Sequence, residues 1–289
     1  VPLLGRIPAL LALSLILFAN LSANPQQQLR IAILDFAGGD EKHSAETSLG
    51  SALAADERAI VVDPGQVATA LASGYTSSLN LTLQEARQIG STIGCDAYVM
   101  GKVFVERTET NGRTSFEVFV GLFLVDTRTG QLIRFQSVSQ RDASAIAAKE
   151  KAFADIRAQA KPMIDVALQF RKKQSELPAA TEDTTAEELP EENTPAAKGF
   201  VPPQFFRRYT PTYTELASHA EVAATVELSV VFRANATIGD IVVTRWAGFG
   251  LDESAIETVR SIKFEAATRD GRQVSVRAPV RYNFRAAPR

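Results

Sequence analysis

An α/β domain, an acidic linker and a smaller α+β module is the organisation the sequence predicts. Three observations support it. From residue 29 to 173, short apolar runs alternate with stretches of helical periodicity. From 174 to 203 the apolar residues give way to Ala, Thr, Pro and Glu. From 204 to 289 a period of two returns, with one short helix before the last strand. The 289 residues suffice for two modest domains, and 45% hydrophobic with 22% charged residues is an ordinary globular composition. A net charge of −2 argues against a nucleic-acid binder, which carries a concentrated basic footprint.

At the start, Arg6 precedes a largely apolar run from Ile7 to Phe18, then Asn20-Leu21-Ser22-Ala23. This reads as a signal peptide over 1–23, with cleavage after Ala23. The run is shorter than the roughly 20 residues of a spanning helix. An uncleaved signal-anchor is the alternative, because Leu21 is bulky where a small residue is preferred. With no cysteine at the end of the run, lipoprotein processing is not expected.

Leu29 to Phe36 is the first strand of the domain, followed by a helix across Ala45 to Ala55 and a strand at Ala59 to Val62. Asp63-Pro64 opens another helix with an Asp cap and a first-turn proline. Leu83 to Ile93 is helical, and Gly94-Cys95-Asp96 leads into a strand at Ala97 to Glu106. Phe116 to Val125 pairs through Asp126–Gly130 with a return strand at Gln131 to Val138. The helix from Ala143 to Lys173 carries a stripe of Phe153, Ile156, Ala160, Ile164 and Ala167, and Pro162 is expected to kink or break it. The stretch 174–203, with Glu176, Glu182, Asp183, Glu187, Glu188, Glu191 and Glu192, buries too little apolar surface to order itself and reads as a disordered linker.

In the last module, Val222, Ala224, Val226, Leu228, Val230 and Phe232 alternate with a mixed face. Ile241 to Trp246 returns as a second strand. Gly248 and Gly250 form a corner, Asp252 is placed to cap the next helix, and Leu251 and Ile256 have the spacing of a hydrophobic staple. Ala255, Ile256, Val259 and Ile262 give that helix its apolar stripe. Val274, Val276, Ala278, Val280, Tyr282 and Phe284 line the inner face of a third strand. The module is therefore a small antiparallel three-stranded sheet with a packed helix.

Gly239-Asp240-Ile241-Val242-Val243, Gly248-Phe249-Gly250-Leu251-Asp252, Ala255, Phe264-Glu265-Ala266-Ala267, Gly271 and Val280-Arg281-Tyr282-Asn283-Phe284 occur in an order that resembles the TonB family C-terminal domain. Ala266 stands where such domains usually have proline, and Tyr209-Thr210-Pro211-Thr212-Tyr213 only partly echoes an upstream Tyr-Pro element. TonB-type transducers also carry a longer spacer with Glu-Pro and Lys-Pro repeats, which this linker lacks. The first domain resembles the TolB amino-terminal domain and CsgG-like envelope domains through Ile31–Phe36, Gly94–Val103 and Leu124–Gly130.

Candidate chemistry is sparse. His43 and His219 are far apart in sequence without a cysteine cluster, so neither a metal nor a cofactor site is expected. Gly38-Gly39-Asp40 lacks the Gly-Lys-Ser/Thr of a phosphate loop. Asp35, Asp96 and Asp126 fall at strand ends, where turn chemistry explains them better than catalysis. Cys95, the single cysteine, reads as a small buried residue. No enzyme is predicted.

Binding is better supported. Pro279 inside the last strand places that strand at a sheet edge or a bulge. An edge accepts a further strand through main-chain bonds. The resemblance to TonB domains implies capture of an extended partner segment along Val274 to Phe284, with Val274, Val276, Arg277, Pro279, Arg281 and Phe284 as contact residues. Arg277, Arg281 and Arg285 share the outward face, where they could pair with acidic side chains or simply discourage aggregation. Trp246 and Phe249 are expected in the core rather than as partner anchors. The resemblance implies a periplasmic or envelope protein of a Gram-negative type bacterium, with an outer-membrane transporter or an assembly component as partner.

Overall fold

The computed structural model describes residues 28–72, 78–176 and 186–285. The leader expected over 1–23 lies outside them. In chain order, the first domain comprises β1 (Leu29–Ile33), β2 (Ala37–Gly38), α1 (Lys42–Ala54), β3 (Ala59–Val61), α2 (Pro64–Leu71), α3 (Leu83–Ile93), β4 (Ala97–Thr110), β5 (Arg113–Asp126), β6 (Leu132–Asp142) and α4 (Ala145–Glu176). Its sheet runs β3-β1-β4-β5-β6, with β2 also on β4. The β1 pairs are parallel, whereas β4–β5 and β5–β6 are antiparallel.

Local signals set several of these boundaries. Asp63 accepts a bond from the Gln66 N–H and caps α2, with Pro64 in the first turn. Thr82 and Glu85 make a reciprocal capping box on α3, and Gly94 ends that helix in the left-handed conformation. α4 runs through Pro162 as one helix, so of the expected kink or break the break does not occur. Proline costs that helix a backbone bond, but Ala160, Met163, Ile164 and Ala167 are buried on both sides of it, and the packing holds the helix together.

One face of the sheet packs α1 and α4: Val118, Val120, Leu122 and Leu124 of β5 lie in one cluster with Leu49, Ile156 and Ile164. The opposite face, with Tyr98, Met100, Phe119, Phe123 and Val125, lies in a second cluster with α2, α3 and the C-terminal module. Both faces of β5 are thus covered, which is why its sequence is apolar without alternation.

The remaining elements are β7 (Glu187–Glu188), β8 (Phe200–Val201), β9 (Gln204–Phe205), α5 (Glu215–His219), β10 (Ala224–Phe232), β11 (Ile238–Arg245), α6 (Leu251–Arg260), β12 (Phe264–Glu265), β13 (Thr268–Arg269), β14 (Arg272–Gln273) and β15 (Val276–Phe284). The main sheet is ordered β11-β10-β15-β7. The three antiparallel strands are as expected; β7 is a fourth, parallel to β15.

That fourth strand adds local structure within the stretch 174–203, whose composition reads as a linker. Ser175 and Glu176 finish α4, and residues 186–203 follow the surface of the module, with 177–185 outside the described residues. Besides β7, β8 pairs with β13. Composition alone misses this, because backbone bonds and ion pairs with Arg269 and Arg277 hold the start of the segment and only Phe200 and Pro203 near its end pack inward.

Candidate functional site

β15 is central at one end and open at the other. All nine of its residues pair with β10, from Val276↔Phe232 to Phe284↔Ala224. On its other side β7 covers only Val276 and Arg277. The Ser275 and Arg277 carbonyls accept from the N–H groups of Glu187 and Leu189, each at 2.9 Å. Backbone groups of alternate residues point the same way, so Pro279, Arg281 and Asn283 also aim their polar groups at this edge. Pro279 offers a carbonyl there but no N–H.

The expected site residues divide by face. Val276 and Phe284 are buried toward the core and Val274 is half-buried, whereas Pro279 and Arg281 are exposed. The inner residues therefore position the strand, and a partner could reach the outer ones and the backbone. The arginines already have partners in the chain. Arg277 is 3.3 Å from Glu188, and Arg281 is 2.7 Å from Glu227 on β10. Arg285 is exposed at the end of the row.

The opposite side of the module faces the first domain. Trp246, 1% exposed, donates from Nε1 to the Gly130 carbonyl at 3.1 Å. The Phe249 ring lies 4.6 Å from Phe135 and 5.6 Å from Phe123. Its backbone is left-handed (φ 55°), flanked by Gly248 (φ 69°) and Gly250 (φ 76°). A non-glycine residue pays roughly 1–2 kcal/mol for that conformation, and burying the ring offsets it. A Cβ on Gly248 would stand 2.6 Å from the Phe123 ring, so only glycine permits this approach. Trp246 and Phe249 are core residues, as expected, but the core they anchor is shared by both domains.

Asp252 departs from its expected role. Gly250, not Asp252, is the helix N-cap. The buried Asp252 carboxylate instead accepts the N–H groups of Ala247 (2.9 Å) and Gly248 (2.8 Å), tying down the corner. Burial pushes its pKa up to about 7, with those two bonds opposing. It lines a cleft of about 530 Å³ with Ile133 and Phe135 of β6 and Ile241 and Val243 of β11.

Polar residues complete the seam. The Asn80 side chain donates to the Thr225 (2.8 Å) and Trp246 (2.6 Å) carbonyls and accepts from the Thr225 N–H (2.9 Å). Lys102 donates to the Ala220 carbonyl at 2.7 Å, and desolvation lowers its pKa. His219 Nε2 lies 3.1 Å from Glu117, a pair that sequence reasoning missed because 102 positions separate two individually unremarkable residues. Glu106, Glu117 and His219 bring their ligand-type atoms within 4.8 Å of one another. Ser139 and Arg141 also bond the Glu117 carboxylate, and within this group His219 alone belongs to the C-terminal module.

Of the strand-end carboxylates, Asp96 and Asp126 line one cleft and Asp35 is not part of it. Asp35 pairs with Lys42, Asp96 accepts from the Arg30 N–H and pairs with Arg171, and Asp126 accepts from Thr129 in its own turn. Cys95 is buried, and desolvation pushes its thiol up to about 12, as an inert structural cysteine requires.

Together these features describe a C-terminal sheet-and-helix module that packs one side against the N-terminal sheet and leaves part of the β15 edge uncovered on the other. Residues 209–285 of that module match the family described as Gram-negative bacterial TonB protein C-terminal. Among solved structures, the Pseudomonas aeruginosa TonB C-terminal domain is 18% identical, with 35% of this chain and 95% of that one covered (TM-score 0.27). The hypothetical protein CT253 from Chlamydia trachomatis is 11% identical over 47% of this chain and 98% of its own (TM-score 0.35). The PelC dodecamer protein from Paraburkholderia phytofirmans is 17% identical over 47% of this chain and 88% of its own (TM-score 0.35). No curated protein matches the chain.

Proposed function

We propose that this chain is a non-catalytic cell-envelope protein whose TonB-like module binds a protein partner by strand addition to β15. The observation that carries the proposal is the edge from Pro279 to Phe284, which β7 leaves uncovered in a module matching the TonB C-terminal family. Such an edge supplies affinity through main-chain bonds and specificity through alternate side chains. Val274, Val276 and Phe284 hold the strand, while Arg277, Pro279 and Arg281 meet the partner. The partner is an outer-membrane transporter or an assembly component, and the location is the periplasm or envelope of a Gram-negative type bacterium. Among the described residues no helix is long and apolar enough to cross a membrane.

A second reading, a periplasmic assembly scaffold without energy coupling, gains support from the docked module. Asn80, Lys102 and Trp246 hold it against the first domain rather than at the end of a free spacer. The domain limits 29–173 and 204–289, and the likeness of the first domain to TolB and CsgG-like domains, belong to this proposal.

Photo-crosslinking from positions 281 and 283 in the native envelope tests both readings. A discrete protein adduct, absent when the crosslinker stands at position 242 on β11, is expected. No adduct from either edge position would sink the strand-addition reading. Identification of the adduct separates a transporter from an assembly component.

A further inference from the structure

We infer that Glu187–Leu189 is the chain's own occupant of the partner edge, and that this edge selects an acidic extended segment running parallel to β15. The inference rests on the strand-addition reading above and adds to it the class of ligand and a means of control.

The register shows how the edge recognises this segment. Glu187 and Glu188 lie opposite Val276 and Arg277, parallel to β15. Two N–H groups, from Glu187 and Leu189, bond the Ser275 and Arg277 carbonyls. Successive side chains of a strand leave on opposite faces, so the two carboxylates read different arginines. Glu187 meets Arg269 at 2.6 Å, and Glu188 meets Arg277 at 3.3 Å. The edge thus recognises two consecutive acidic residues, one from each side of the sheet.

The same register explains why the pairing is short. In a parallel ladder the next bond would run from the N–H of residue 279 to the Leu189 carbonyl. Pro279 has no N–H, and Pro190 follows Leu189. The segment covers the start of the edge and leaves Arg281 and Asn283 uncovered. A longer acidic strand that continues past Pro279 gains backbone bonds which the internal segment lacks. It can therefore displace that segment, whose partial occupancy lowers apparent affinity in proportion to the fraction of open edge.

The test uses the full-length chain and a fluorescein-labelled peptide with the sequence of residues 186–192, alongside the same peptide with Lys for each Glu. The double variant Glu187→Pro, Leu189→Pro removes both ladder donors from the internal segment. If the closed form holds the edge about nine-tenths of the time, the variant binds the acidic peptide about tenfold more tightly than wild type. The Lys peptide is expected to bind neither protein. Equal affinity of wild type and variant for the acidic peptide overturns the internal occupancy and leaves strand addition standing. Equal binding of the acidic and Lys peptides overturns the selectivity. Absence of binding to both proteins overturns the edge as a docking surface, and this inference with it. A second measurement needs no variant: saturating acidic peptide should accelerate hydrogen exchange at the Glu187 and Leu189 amides of wild type. Unchanged exchange in the bound protein would overturn the displacement.

Discussion

The two edges of the C-terminal sheet have opposite fates. The β11 edge ends against the first domain. Arg245 bridges to Thr82, the Trp246 N–H reaches the Leu81 carbonyl at 3.2 Å, and the Gly248–Gly250 corner drives Phe249 among Phe119, Phe123 and Phe135. The β15 edge meets only two residues of β7, held by bonds and ion pairs near the surface. Aromatic burial makes the first edge a permanent joint, whereas exposed ion pairs worth about 0–1 kcal/mol each make the second one exchangeable. The proposed strand addition is accordingly assigned to β15 and not to the seam end of β11.

The largest expected effect is at the joint. Trp246→Ala should cost about 3–5 kcal/mol, through the cavity left in the shared core and the unpaired Gly130 carbonyl. Guanidinium unfolding of the full chain measures it. A loss under 1 kcal/mol, or separate transitions for the two domains in wild type, would break the idea of one shared core.

Asp252 sharpens the same side through pH. Its folded pKa of about 7 exceeds the ordinary carboxylate value of 3.8, so the folded state retains a proton that the unfolded state releases. Its stabilising contribution is full below about pH 4 and is lost as pH rises through about 7. The change amounts to about 4 kcal/mol at most. Asp252→Asn should flatten stability across that window, as measured by urea midpoints from pH 4 to 8. A wild-type profile that rises with pH and is unaffected by the substitution would contradict this account of the corner.

Much of the module was legible in the sequence, and the joint was not. The alternation from Val222 to Phe232 and from Val274 to Phe284 exposes each strand's inner face, because one side of the sheet is apolar and the other mixed. In the first domain the Asp63–Pro64 cap of α2 was legible too, because capping chemistry lies within a few residues of sequence. The docking depends on pairs such as Asn80–Thr225, Gly130–Trp246 and Glu117–His219, whose members look like ordinary turn or surface residues until folding brings them together. Asp252 was misjudged for the same reason. Its spacing suits a cap, but burial of the preceding corner gives its carboxylate two nearer donors. The β7 pairing was hidden by a composition that ordinarily signals disorder.

Asn80 separates polar from apolar holding at the joint. Asn80→Ala leaves the Thr225 N–H and the Thr225 and Trp246 carbonyls without their side-chain partner. The expected loss is about 2–3 kcal/mol, read as a shift of the urea midpoint. Asn80→Asp retains the acceptor for Thr225 but loses the donors, so it should fall between wild type and Ala. An Asp variant as unstable as Ala would mean that the acceptor contributes nothing.

The smallest expected stability effect lies on the open edge, with the clearest change in association. Pro279 is exposed and pairs across to Ser229 on β10, while its missing donor faces outward. Pro279→Thr restores an N–H at that edge without removing a bond to β10. Stability should change by less than about 0.5 kcal/mol. The restored donor completes the ladder along Arg277, position 279 and Arg281, so the variant should hold β7 longer and also self-associate more readily, since proline is one of the devices that keep edge strands apart. Sedimentation velocity over a concentration series reads the association, and hydrogen exchange at Leu189 reads the hold on β7. If neither moves, the outward direction assigned to residue 279 is wrong. If stability instead falls by more than about 1 kcal/mol, that position is integral to the sheet and the edge is not free to exchange strands.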